Sequence, residues 1–155
     1  MAMIIEGEEK IEAPVQQVWE ALNDPEILRE CIPGCESLDK KSDTEMTAIV
    51  SLKIGPIKAR FNGEVQLLNL NPPHSYTIQG EGKGGIAGFA KGGADVALKE
   101  DGDATILTYA AKADVGGKMA QLGSRLITST SKKLAGEFFS NFNAKVSGKQ
   151  AEASA

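Results

Sequence analysis

EMTAIVSLKIGPIKARFNGEVQLLNL, residues 45–70, alternates apolar and polar side chains through two runs separated by Gly55-Pro56. Met46, Ala48, Val50, Leu52 and Ile54 fall on one side of a two-residue period, and Ala59, Phe61, Gly63, Val65 and Leu67 repeat it. Thr47, Ser51, Lys53, Lys58, Arg60, Asn62 and Glu64 occupy the other side. Such a pattern across a tight turn predicts two antiparallel strands, Glu45–Ile54 and Ile57–Leu70, sharing one dry face. Asn71-Pro72-Pro73 then precedes a strand over His74–Gly80, and Asp101-Gly102 punctuates the last pair as a hairpin. The dry face continues through Leu107, Tyr109, Ala111, Ala113 and Val115. With a first strand over Ile4–Glu12, the spacing predicts a six-stranded antiparallel sheet.

Outward from the sheet the period becomes helical. Pro14–Leu22 places Val15, Val18, Trp19 and Leu22 on one face, with Pro14 suited to the first helical position. Asp24 is set to cap a second short helix, Pro25 to Glu30. After Gly116-Gly117, Leu122, Leu126, Leu134, Phe138 and Phe142 recur every four residues, with Thr130 on the missing rung. These residues predict a helix over Lys118–Val146, ~44 Å long at ~1.5 Å per residue. A sheet with one dry face must be covered, and only this helix is long enough to do it. The expected fold is therefore α+β: a curved antiparallel sheet wrapped around a long C-terminal helix, with two short helices after the first strand. This is the helix-grip, or START-like, arrangement. It makes one domain of residues 3–147 and leaves 148–155, small and polar, as a flexible tail.

Composition narrows the function. Seventeen Lys and Arg against 21 Asp and Glu give a net charge of −4, the wrong sign for neutralising nucleic-acid phosphates. The N-terminus lacks the basic-then-apolar pattern of a signal peptide, and no apolar run is long enough to cross a bilayer, so the expected location is the cytoplasm. Cys31 and Cys35, with three residues between them, do not form a C-x-x-C motif and read as buried free thiols. Two cysteines and one histidine make a poor metal kit, so neither a metal nor a cofactor is expected.

The dry face is rich in small residues: Ala48, Ala59, Gly63, Gly80, Gly82, Ala94, Ala111 and Ala113. They either permit a close helix approach or leave volume for a guest. The run Thr128-Ser129-Thr130-Ser131 favours the guest, because it puts poor helix formers and a hydroxyl where a bulky side chain would fill the space. A cavity there would be lined by Phe61, Tyr76, Tyr109 and Ala111 from the sheet and by Leu122, Leu126, Thr130 and Leu134 from the helix. The stretch GEGKGGIAGFAKGG, residues 80–93, is neither a P-loop nor a dinucleotide fingerprint. It reads as bulges and a flexible hairpin, or else as a gate bringing Ile86 and Phe89 over the cavity mouth. Phe89 joins the candidate lining on that account. The inward face offers only Tyr76 and Tyr109 as ionisable groups, and no nucleophile with a positioned base, so no catalytic residue is expected. Lys118, Arg125 and Lys132, seven residues apart, form a basic stripe: a solvated face, or a docking surface for an acidic partner or anionic membrane.

APVQQVWEALNDPEILRECIPGCESL (13–38), GPIKARFNGEVQLLNLNPP (55–73) and GGADVALKEDGDATILTYAAKADVGGKMAQLGSRLI (92–127) resemble the CoxG family of carbon monoxide dehydrogenase subunits. The most specific pieces are the run Asp24–Gly34 and the run Asp114–Ile127. The resemblance implies a START-like domain with an internal apolar cavity. It further implies association with a molybdenum-dependent carbon monoxide dehydrogenase or related hydroxylase, in coupling that enzyme to the membrane and its quinones or in its assembly. The expected role is thus a non-catalytic accessory protein for a quinone or lipid-like molecule. An enzyme of cyclase or hydrolase type and an assembly subunit with an incidental cavity stand as alternatives. The chain lacks the further C-terminal segment that longer members use at the membrane, so peripheral contact at the inner membrane face is not supported from that end.

Overall fold

The structure, a computed structural model, describes residues 2–154, with side chains described through Ser147. Strand β1 (Ala2–Ile11) leads into helix α1 (Val15–Leu22) and helix α2 (Pro25–Cys31). Strands β2 (Cys35–Lys40), β3 (Glu45–Ile54), β4 (Ile57–Asn71) and β5 (Ser75–Lys83) follow. A 3-10 turn at Gly85–Ala87 precedes β6 (Phe89–Asp101) and β7 (Ala104–Gly116). A second 3-10 turn, Gly117–Leu122, delivers the chain to helix α3 (Ser124–Ser154). The side chains from residue 148 onward, where the sequence suggests a tail, lie outside the described set.

The seven strands form one antiparallel sheet in the order β1-β7-β6-β5-β4-β3-β2. The expected count was six. The added strand, β2, is a sheet edge and brings only Leu38 to the main core as a partly buried contact, so no alternation marks it in the sequence. The expected alternation of the central strands is realised: Val50 pairs with Phe61 and Leu52 with Ala59, while Ser51 opposite Arg60 faces solvent.

Three boundaries bear on local physics. Pro14 is the N-cap of α1 rather than its first residue, with an extended φ of −62° and ψ of 152°. Asp24 caps α2 as expected, accepting the Glu26 N–H at 3.0 Å. The long helix starts at Ser124 and not at Lys118, because Gly123 takes φ +92° and ends the preceding 3-10 turn.

Two apolar clusters sit under α3. The larger joins α1, α2 and the far half of α3 to the sheet through Trp19, Leu67, Tyr76, Leu107, Phe142 and Val146, among others. The smaller gathers Phe61, Ala87, Val115, Met119 and Ile127 at the opposite end. The far half of α3 is also tied by polar contacts. Asn143 accepts the Glu12 N–H and donates to the Lys10 carbonyl, at 3.0 and 3.3 Å. Asn141 donates to the Cys31 carbonyl at 3.1 Å, and Lys145 pairs with Glu30.

Candidate functional site

Cross-strand pairs share a face, so the strand register fixes what points toward α3. One inward row runs Met3, Ala113, Gly92, Gly80, Val65, Met46, and the next Val115, Ala90, Gly82, Gly63, Ala48, Leu38. All the small residues expected on the dry face lie on that face, joined by Ala90 and Gly92. The middle of the sheet is therefore floored almost entirely by Gly and Ala.

The glycines show whether that floor is covered. A Cβ on Gly82 would have nothing within 4 Å, and one on Gly63 would meet only backbone oxygens at 3.8 and 3.9 Å. Val65 and Ile78, inward-facing on central strands, are only partly buried. Helix α3 approaches the sheet most closely at β1 and β3, near the two edges, rather than over the centre. No side chain comes within 4 Å of where a Cβ on Gly63 or Gly82 would stand.

Gly7 has a different function. A Cβ there would overlap the Tyr109 hydroxyl, so the missing side chain makes room for the ring on the neighbouring strand. Tyr109 also stacks on Phe139 of α3 with centroids 5.3 Å apart. Glu9, paired with Leu107, shares this inward face. Burial, and then the Glu9 charge, hold the Tyr109 phenol above its ordinary pKa. Tyr76 is edge-on to Trp19 at 5.4 Å, and burial alone pushes its pKa upward. Both phenols stay neutral at physiological pH. The sequence reading missed Glu9, although it shares the odd-numbered side of β1 with Ile5 and Ile11 and that two-residue period marks it as inward-facing.

Of the candidate lining, Phe61 and Tyr76 are buried, each in a different apolar cluster. Tyr109 and Ala111 are inward-facing between the clusters and half-buried. Leu122 packs on the smaller cluster. Thr130 and Leu134 are half-buried on α3. Leu126 lies against the β3–β4 turn, where a Cβ on Gly55 would come 2.8 Å from its Cδ2. The most buried residue of that helical turn is instead Ile127, only 4% exposed. A four-residue step overshoots a helical turn by about 40°, so the ladder from Phe142 back to Leu126 drifts by about 160°. Ile127 and Ser131 take the inward positions, and the Ser131 hydroxyl lies 3.7 Å from the Met3 sulfur.

Phe89 is not brought to this face. It pairs with Lys83 and Gly116 on the outer side, 44% exposed, its ring over Gly116. Ile86 is 84% exposed, so neither residue of the alternative gate reading covers the inner face; Ala87 is the loop residue that points in. Lys91 and Asp95 also face outward. Asp95 accepts a hydrogen bond from Thr77 at 2.8 Å. They line an open outer saddle of about 860 Å³ with Thr47, Glu64, Gln79 and Lys112. Cys31 is buried, Cys35 half-buried, and burial raises both thiol pKa values. Among the described residues no three His, Cys, Asp or Glu side chains gather as a metal site, and no helix is long and apolar enough to cross a membrane.

A family model for CoxG, described as a carbon monoxide dehydrogenase subunit, matches residues 7–147. Among solved structures, a conserved protein from Geobacillus kaustophilus is 29% identical, with 94% of this chain and 96% of that one covered and a TM-score of 0.89. The ZhuI aromatase/cyclase from Streptomyces sp. R1128 is 9% identical, with 94% of both chains covered and a TM-score of 0.70. Ara h 8.0201 is 13% identical, with 94% and 98% covered and a TM-score of 0.65. The last two are similar in fold alone. A comparison with curated proteins returned no match.

Proposed function

The chain belongs to the CoxG family of carbon monoxide dehydrogenase subunits, and on that premise we propose that it is a non-catalytic accessory protein holding a quinone or lipid-like molecule between α3 and the sheet. It would serve a molybdenum carbon monoxide dehydrogenase-type oxidoreductase, in coupling to membrane quinones or in assembly. The observation that carries this reading is the open space above Gly63 and Gly82, bridged by α3 and floored by Gly and Ala. An apolar guest gains by leaving water, and a few hydroxyls suffice to orient it. Thr130, Ser131 and Tyr109 are the hydroxyls this reading assigns to that task.

Glu9 beside Tyr109 is the one inward arrangement that favours the enzyme alternative, since a carboxylate and a phenol could exchange a proton with a guest. Native mass spectrometry of the purified protein, before and after mild organic extraction, tests the carrier reading. A bound species of a few hundred daltons, removed by extraction and regained from added quinone or lipid, is the expected result. If no species is found and neither class of molecule binds, the carrier reading fails. Glu9→Gln separates the alternatives: a carrier keeps its guest unchanged, whereas an enzyme would accumulate an unconverted one.

A further inference from the structure

Two cross-strand rows cross the inner face of β7, β6 and β5, one of Ala113, Gly92 and Gly80, the next of Ala111, Ala94 and Ile78. All but Ile78 are Gly or Ala, and every one is only half-buried. The flanking rows are packed. On one side Val115 is buried in the smaller cluster with Phe61, Ala87, Met119 and Ile127. On the other, Tyr76 and Val96 are buried beside Tyr109. One row further, Leu98 and Leu107 are buried too, so the chain's own side chains close that end. The half-buried rows therefore make a trough along the strands, floored by small residues and stopped at both ends.

Val115 and Tyr109 stand six residues apart on β7, a run of about 20 Å. Helix α3 spans a matching distance. Its Ile127 sits in the smaller cluster and its Phe139 stacks on Tyr109, twelve residues and about 18 Å further on. Tyr109 lies at the end of the trough as a bar from β7 to β1. Its ring fits over Gly7, where a Cβ would overlap the hydroxyl, and Phe139 holds it with centroids 5.3 Å apart. Unlike Tyr76, it is only half-buried, so part of its ring is left uncovered by the chain.

We infer that this trough gauges its guest by length, with Tyr109 as the stop. The inference rests on the carrier reading and narrows the guest's class. The trough takes an extended apolar chain of about 15 carbons, at about 1.3 Å per carbon, or a quinone ring with a correspondingly shorter prenyl tail. Each methylene laid on the Gly and Ala floor leaves water and strengthens binding about fourfold. A carbon that would have to pass Tyr109 meets the packed Leu107 and gains nothing. A large side chain at Ala111 would set the stop one row nearer, by about 7 Å.

Competition between 1-alkanols tests it. Guest-free protein is offered equimolar pairs differing by about two carbons, across a series of about 8 to 20 carbons, and the bound masses are counted by native mass spectrometry. The longer alkanol of each pair should win by about tenfold up to about 15 carbons and by no more than about twofold beyond. Tyr109→Ala should move that break about five carbons longer, and Ala111→Leu about five carbons shorter. Both variants should keep the native far-ultraviolet dichroism. A preference that keeps rising through about 20 carbons overturns the inference, as does a break that neither folded variant moves. Quinone bound without any alkanol overturns it too and leaves the carrier reading standing. If neither quinone nor alkanol binds, both fail.

Discussion

Gly82 is the residue on which the account turns. Glycine in a strand interior is destabilising by roughly 0.5–1 kcal/mol relative to alanine, and a Cβ here would meet nothing within 4 Å. Gly82→Ala should therefore raise stability by about that amount in urea denaturation. Gly92→Ala should do the reverse, because its Cβ would overlap the Lys112 carbonyl oxygen on the neighbouring strand. The sequence shows both as glycines of one run, and only the strand register separates a vacancy from a close approach.

At the same scale, Glu36 is held below the ordinary carboxylate range, first by its hydrogen bond from Arg60 and next by that from Ser51. A depressed folded pKa contributes stability above the unfolded value, about 4.3, that is lost as pH falls through the folded value. Arg60→Ala should move the Glu36 titration upward in a carboxyl-resolved NMR experiment and weaken that acid-side dependence, the Ser51 hydrogen bond remaining. An unmoved titration would contradict the pairing.

Elements were more legible than residues. The two-residue period of Glu45–Leu70 carries its own register, so the β3–β4 hairpin could be read off the chain. The short edge strand β2 has no such signal, and its pairing with β3 supplies what the sequence lacks. In α3 the helical pattern was visible, but a strict four-residue ladder selected Leu126 where the helix buries Ile127. Ile127→Ala should cost about 2–5 kcal/mol by deleting a buried side chain. Leu126→Ala, at the half-buried turn contact, should cost about 1 kcal/mol. Equal losses in thermal or urea unfolding would contradict this placement of the helix face.

On the scale of the whole molecule, the fold followed from one dry sheet face that needs a cover, and the long helix is the only candidate long enough. What could not be read was how far the cover stands off. That distance is set where α3 meets the sheet near its edges and by the clusters at its two ends, all products of long-range pairing.

Trp19 is the only tryptophan and sits in the larger cluster beside Tyr76. Quenching of its fluorescence by a short-chain benzoquinone, in the native protein and in Gly82→Leu, tests the central claim most directly. The account predicts saturable quenching in the native protein, with Gly82→Leu equally stable but at least about tenfold weaker, because the new side chain occupies the guest's volume. Equal saturable quenching in both would contradict the placement of the site, and no saturable quenching in either would contradict quinone binding.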